Sequence, residues 1–73
     1  MSGQFAIKVT VVGIPQFVSR IRKDGKNLGL CSQARDGLLF DDPDEAVKSS
    51  QKVARIFRTR TMGIIPRIEV VAA

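Results

Sequence analysis

The side chains of this sequence that are best suited to chemistry are arginines and lysines, and they form two clusters. The chain has 12 Lys and Arg against seven Asp and Glu, which leaves a net charge of +5. Guanidinium and ammonium groups bind phosphates and carboxylates, so both clusters are candidate contacts for an anionic partner. The alternative for each cluster is a solvated face that keeps a small protein soluble and protects sheet edges with charge. The first cluster surrounds a predicted hairpin, and the second follows one face of a predicted helix. The hairpin cluster contains Arg20, Arg22, Lys23 and Lys26, and the helix cluster contains Lys48, Lys52, Arg55, Arg58 and Arg60.

Catalytic chemistry finds little support among the remaining residues. The sequence has no His, the side chain that most often exchanges a proton near neutral pH. Cys31 is the only cysteine, and because it falls in a predicted strand we expect a small packing residue rather than a nucleophile. A lone cysteine does not form a structural zinc site, and the chain has no glycine-rich phosphate loop. We therefore predict a protein without catalytic residues, metal, cofactor or small-molecule substrate.

The same inventory predicts a cytoplasmic protein. A single cysteine permits no intramolecular disulfide, which fits a reducing compartment. No apolar run approaches the roughly 18 residues of a membrane span, and the first residues do not follow the pattern of a secretion signal. At 73 residues, we expect one domain over residues 1–73 with a single core and no membrane contact.

The hairpin cluster belongs to strands that the alternation of apolar residues predicts. Residues 4–12 alternate apolar and polar side chains, as half-buried strands do, and residues 17–23 alternate again. An Asp-Gly pair at 24–25 predicts a tight hairpin, because such a turn needs positive φ at both central residues. The return strand is predicted over residues 27–32. The predicted core-facing residues are Phe5, Ile7, Val9, Val11, Phe17, Ile21, Leu28 and Leu30.

The helix cluster belongs to a helix with a well-marked start. Asp42 is the predicted N-cap, Pro43 suits the first helical position, and Glu45 has the spacing of a capping box. The apolar run at 38–40 that precedes this helix is either a further antiparallel strand or an extended lead into the helix. The predicted apolar face of the helix contains Ala46, Val47, Val53, Ala54 and Phe57, with Ser50 among them.

The final segment completes the predicted fold. Residues 64–71 predict a strand in which Ile68 and Val70 face the core. Pro66 has no N–H for a sheet hydrogen bond, so we expect this strand either to lie at an edge or to start near Pro66. The elements together predict an α+β fold: a small three- or four-stranded, mainly antiparallel sheet with one helix packed on one face.

Two classes of partner follow from these residues. The first is an acidic protein surface, toward which the basic clusters steer association while apolar groups such as Ile64 supply affinity. The alternative is nucleic acid, contacted with little sequence preference by the basic hairpin or helix. The chain has no Tyr or Trp, and its four Phe fall on predicted core faces. This leaves no platform for stacking bases and favours the protein partner.

The organisation of the whole chain resembles small bacteriophage host-takeover proteins. A strand-rich half leads into LLFDDPDEAVKSSQKVARIF at 38–57 and then IPRIEVV at 65–71. In size, charge and organisation the chain is similar in particular to RNA polymerase-binding transcription regulators of lytic phages; anti-CRISPR proteins share these features. The resemblance implies a protein of the bacterial host cytoplasm that binds an RNA polymerase subunit and alters transcription by inhibition or antitermination. It assigns no binding residue.

Overall fold

Four strands and one helix form the fold in a computed structural model that describes residues 3–22, 28–60 and 66–73, with only the backbone of residues 59 and 60. All strand pairs are antiparallel, which confirms the predicted α+β class. The elements are β1 (Phe5–Val11), β2 (Ile14–Ile21), β3 (Leu28–Cys31), a 3₁₀ turn (Ala34–Asp36), α1 (Pro43–Arg60) and β4 (Arg67–Ala72). The sheet order is β3-β2-β1-β4. β4 therefore lies at an edge and starts directly after Pro66, so both predicted alternatives hold.

A two-residue turn that the sequence analysis did not identify connects β1 to β2. Val11 pairs with Ile14, and the two residues between them have φ values of 51° for Val12 and 79° for Gly13. Positive φ at both positions is the signature of the tight hairpin turn that matches the twist of its strands. Pro15 is tolerated next to this turn because β3 pairs with β2 only from Phe17 onward.

An extra residue in β2 determines which of its side chains face the core. The pairing of β2 with β3 shifts register between Val18 and Arg20, so Ser19 is a bulge residue. A bulge shifts the two-residue alternation by one position. As a result Val18 and Ile21, three positions apart, both pack in the hydrophobic core, and the predicted alternation over residues 17–23 is wrong for Val18.

Phe17 lies on the other face of the sheet. It pairs with Lys8 of β1, and Lys8 alternates with Val9, which is fully buried in the core. Because paired residues share a face, Phe17 lies on the face opposite the helix, where it is half-buried. The prediction that Phe17 faces the core is therefore wrong, and the reason is that the phase of β2 changes at the bulge.

The segment before the helix is an extended lead that is tied to the sheet at two places. Phe5 and Phe40 exchange two backbone hydrogen bonds, N–H to O, of 2.8 and 2.9 Å. The Leu38 amide donates to the Val18 carbonyl at 2.8 Å. The segment thus lies between the diverging ends of β1 and β2 and forms one isolated bridge rather than a strand.

The helix begins where the sequence predicted. The Asp42 side chain accepts a hydrogen bond of 2.9 Å from the Asp44 amide, as an N-cap does. Ala46, Val53 and Ile56 are buried, whereas Val47 is 45% exposed. The prediction was therefore wrong for Val47 and omitted Ile56, since the helix turns the Ile56 flank of its apolar stripe toward the sheet.

The helix covers only part of one sheet face. The core joins Ile7, Val9 and Val18 of the sheet to Val53 of α1, and α1 packs mainly over β1 and β4. A helix about 10 Å wide spans about two strands at their spacing of about 4.8 Å. The β2–β3 half of that face consequently extends beyond the helix, and Leu30 there is 36% exposed.

Candidate functional site

A groove of about 540 Å³ lies between α1 and the end of β2. Arg22 borders it from the sheet, and Lys52 and Arg55 border it from the helix. All three residues are exposed. Arg22 belongs to the hairpin cluster and the other two belong to the helix cluster, so the fold brings one member of the first cluster to two members of the second. We call this site the basic groove.

The floor of the basic groove is aliphatic. Ile21, Leu38 and Ile56 line it; Ile21 and Leu38 are half-buried, and Ile56 is 3% exposed. The floor exists because the helix leaves the end of β2 uncovered and because the backbone bond from Leu38 to β2 holds the extended segment beside it. Ser49, half-buried on the helix, adds a hydroxyl group. The site therefore combines positive walls with an apolar base.

Among the described residues, no carboxylate balances the charges of the groove. None of the described residues that line it is acidic. Across residues 3–22, 28–60 and 66–73, the one ion pair joins Arg67 Nε to Glu69 Oε1 at 3.0 Å on β4. Asp42 caps the helix. Three neighbouring cations repel one another in the absence of a counter-charge, so an anionic ligand would be stabilised in the groove.

The other members of the two clusters lie outside the groove. Lys48 and Arg58 are exposed on α1 and do not line it. Arg20 is exposed on β2 and borders a separate shallow depression. Several predicted contact residues are not described by the structure: Lys23, Lys26 and Ile64 fall outside the described residues, and Arg60 is described only by its backbone.

Two residues of the groove floor, Ile56 and Leu38, were absent from the predicted core-facing and contact residues. Ile56 follows Val53 by three positions, a spacing that places both on one side of a helix, so the signal for its burial was present. Leu38 was assigned to a connecting segment. Its proximity to Ile21 depends on the tertiary path of that segment, for which no local pattern exists.

No protein-family model, curated protein sequence or solved structure matches this chain. Within the described part of the chain, no helix is both long and apolar enough to cross a membrane. Function must therefore be inferred from the geometry of the basic groove and from the charges around it.

Proposed function

We propose that this chain is a non-catalytic, basic protein-binding module of the bacterial host cytoplasm. In this proposal it docks on an acidic surface of a macromolecular machine, such as an RNA polymerase subunit, and alters transcription by inhibition or antitermination. The observation that carries the binding role is the convergence of Arg22, Lys52 and Arg55 around an aliphatic floor. The choice of polymerase comes from the resemblance of the whole chain to small phage regulators.

The chemistry of the basic groove favours protein over nucleic acid. Phosphates require cations but no aliphatic floor, and single-stranded bases stack on aromatic side chains. The described residues that line the groove include no aromatic residue. Phe17 lies on the helix-free face of the sheet, opposite Lys8. A nucleic-acid function would therefore use that face, and Phe17 distinguishes the two alternatives.

The proposed mechanism is occupancy of a partner surface. The net charge of +5 raises the rate of encounter with an acidic surface. The apolar floor then supplies affinity that charge alone gives poorly in water. A bound module changes the conformational equilibrium of its partner only if it binds one of the partner's conformations more tightly than the others. Inhibition and antitermination therefore both require a contact that is selective for one conformation.

Titration of the labelled chain with purified, nuclease-treated bacterial RNA polymerase core enzyme tests the proposal. The groove variant is Lys52→Glu/Arg55→Glu, and the matched control is Lys48→Glu/Arg58→Glu on the same helix. Both variants change the net charge equally. Loss of close charge contacts is typically worth about 2 kcal/mol or more, so we expect the groove variant to bind at least about tenfold more weakly. The control should change affinity by less than about threefold, because exposed charges outside an interface contribute little.

The outcomes separate the alternatives. If both variants lost the same affinity for polymerase, binding would depend only on the net charge of the chain, which contradicts docking in the groove. Binding to single-stranded DNA instead of polymerase, reduced by Phe17→Ala and by salt, would reject the proposal in favour of nucleic acid. A transcription assay across a terminator, run with the same variants, shows whether docking changes termination.

A further inference from the structure

We infer that the basic groove binds a short acidic segment of a protein partner in which one large apolar side chain lies between carboxylates. The inference rests on the proposed function and specifies the chemistry that the partner must present. It follows from the placement of charge and apolar surface around the groove.

The cations that line the groove come from two separate parts of the fold, and three apolar residues line the groove with them. Arg22 lies on the sheet side, while Lys52 and Arg55 lie on the helix side. Lys52 and Arg55 are three positions apart on α1, so they are neighbours on its surface. A ligand that contacts Arg22 and the helix cations together, and also the apolar residues, combines carboxylates with an apolar group, and carboxylates on both sides of that group provide this. Arginine adds directional preference, because its guanidinium group binds carboxylates in a bidentate manner.

The floor requires an apolar group at the centre of the ligand. Ile21, Leu38 and Ile56 present only carbon atoms in their side chains, and the first two retain exposed surface. A purely anionic ligand would cover this surface with polar groups and gain nothing from it. A leucine-sized side chain would remove apolar surface from water on both partners, which is favourable in proportion to the area buried.

The size of the groove and its hydroxyl group fit a peptide. A volume of about 540 Å³ falls in the range of about 300–1,000 Å³ that is typical of compact ligand sites, which accommodates a few side chains. Ser49, half-buried on the helix wall, carries a hydroxyl that can donate to or accept from a peptide backbone. The site therefore matches a short linear segment better than a flat protein surface.

A pair of peptides tests the inference directly. The first is fluorescein-labelled Gly-Glu-Asp-Leu-Glu-Asp-Gly, and the second has Ser in place of Leu; binding is measured by fluorescence anisotropy at low salt. We expect the Leu peptide to bind the full chain about tenfold more tightly than the Ser peptide, a difference of about 1.4 kcal/mol. A single-stranded DNA oligonucleotide serves as the competing anion.

Three variants locate the effect. Lys52→Gln/Arg55→Gln should weaken binding of the Leu peptide about tenfold, whereas the matched control Lys48→Gln/Arg58→Gln should weaken it less than threefold. Leu38→Ala keeps every charge and should reduce the preference for the Leu peptide over the Ser peptide. Thermal melting of each variant verifies that it is folded, and the wild-type comparison of the two peptides decides the matter without any variant.

The results that overturn the inference differ from those that overturn the proposed function. Equal affinity of the wild-type chain for the two peptides would mean that the groove binds them through their charge and not through the Leu side chain, and this inference would fail. The proposed function would survive that result if polymerase binding still depended on Lys52 and Arg55. Preference for the oligonucleotide over both peptides, together with no binding to polymerase, would reject both.

Discussion

Val12 occupies a backbone conformation that its side chain disfavours. Its φ is 51° in the turn between β1 and β2. The left-handed region brings the β-carbon of an L-residue close to a carbonyl oxygen and costs about 1–2 kcal/mol, and a β-branched residue there is an outlier. Val12 is 85% exposed, so burial of its side chain contributes almost no stability to offset this cost. The substitution Val12→Asn should therefore stabilise the protein.

The turn geometry indicates how large the expected increase in stability is. Asn tolerates positive φ because its side chain hydrogen-bonds locally, and Asn-Gly is a preferred pair for this turn. We expect the free energy of unfolding to rise by about 1 kcal/mol, near the lower end of the left-handed penalty, because Asn retains part of that penalty. In a domain of this size, 1 kcal/mol raises Tm by about 4–8 °C. Urea titration and thermal melting, both followed by circular dichroism, measure the two quantities.

Val12→Thr is the matched control for this prediction. Thr also replaces an apolar group by a polar one, but it keeps the β-branch and the strain, so its stability should stay within about 0.5 kcal/mol of the parent. An unchanged Val12→Asn variant would refute a left-handed conformation at this position. Equal stabilisation by Thr would show that the exposed apolar surface, and not the backbone, determines the effect.

Three further substitutions, two of them with a matched control, test the packing beside the basic groove and the helix cap. Gly37→Ala should destabilise by about 1–3 kcal/mol, because its new β-carbon would lie 2.7 Å from a backbone oxygen of β2, whereas Gly3→Ala meets nothing within 4 Å and should be close to neutral in urea unfolding. Ile56→Ala should cost about 2–5 kcal/mol and Val47→Ala under about 0.5 kcal/mol; similar losses in the same assay would contradict the orientation of α1. Asp42→Ala should cost about 1 kcal/mol, with faster hydrogen exchange in the first helical turn; unchanged exchange would contradict the cap.

Local physical chemistry accounts for the predictions that were confirmed. The cap at Asp42 depends on residues two positions apart, and the start of β4 directly after Pro66 follows from the missing N–H of proline. Alternation in β1 correctly assigned Ile7 and Val9 to the core because a strand reverses its side chains at every residue. Each of these signals is complete within a few residues of sequence.

The predictions that failed depended on contacts between distant residues. The bulge at Ser19 is defined by the pairing of β2 with β3, so the alternation of β2 alone placed Phe17 and Val18 on the wrong faces. The turn at Val12 was missed because the strand pairing imposes positive φ on a residue type that avoids it. The burial of Ile56 instead of Val47 depends on which flank of the helix meets the sheet.

Composition and local patterns are enough to predict the positive charge, its division into two clusters, and the helix and strands that carry them. That Arg22 lines one groove with Lys52 and Arg55 depends on the fold. It follows from the width of the elements, because one helix covers about two strands of this four-stranded sheet. The end of β2 is left beside the helix with its apolar side uncovered, and the two basic clusters border the gap.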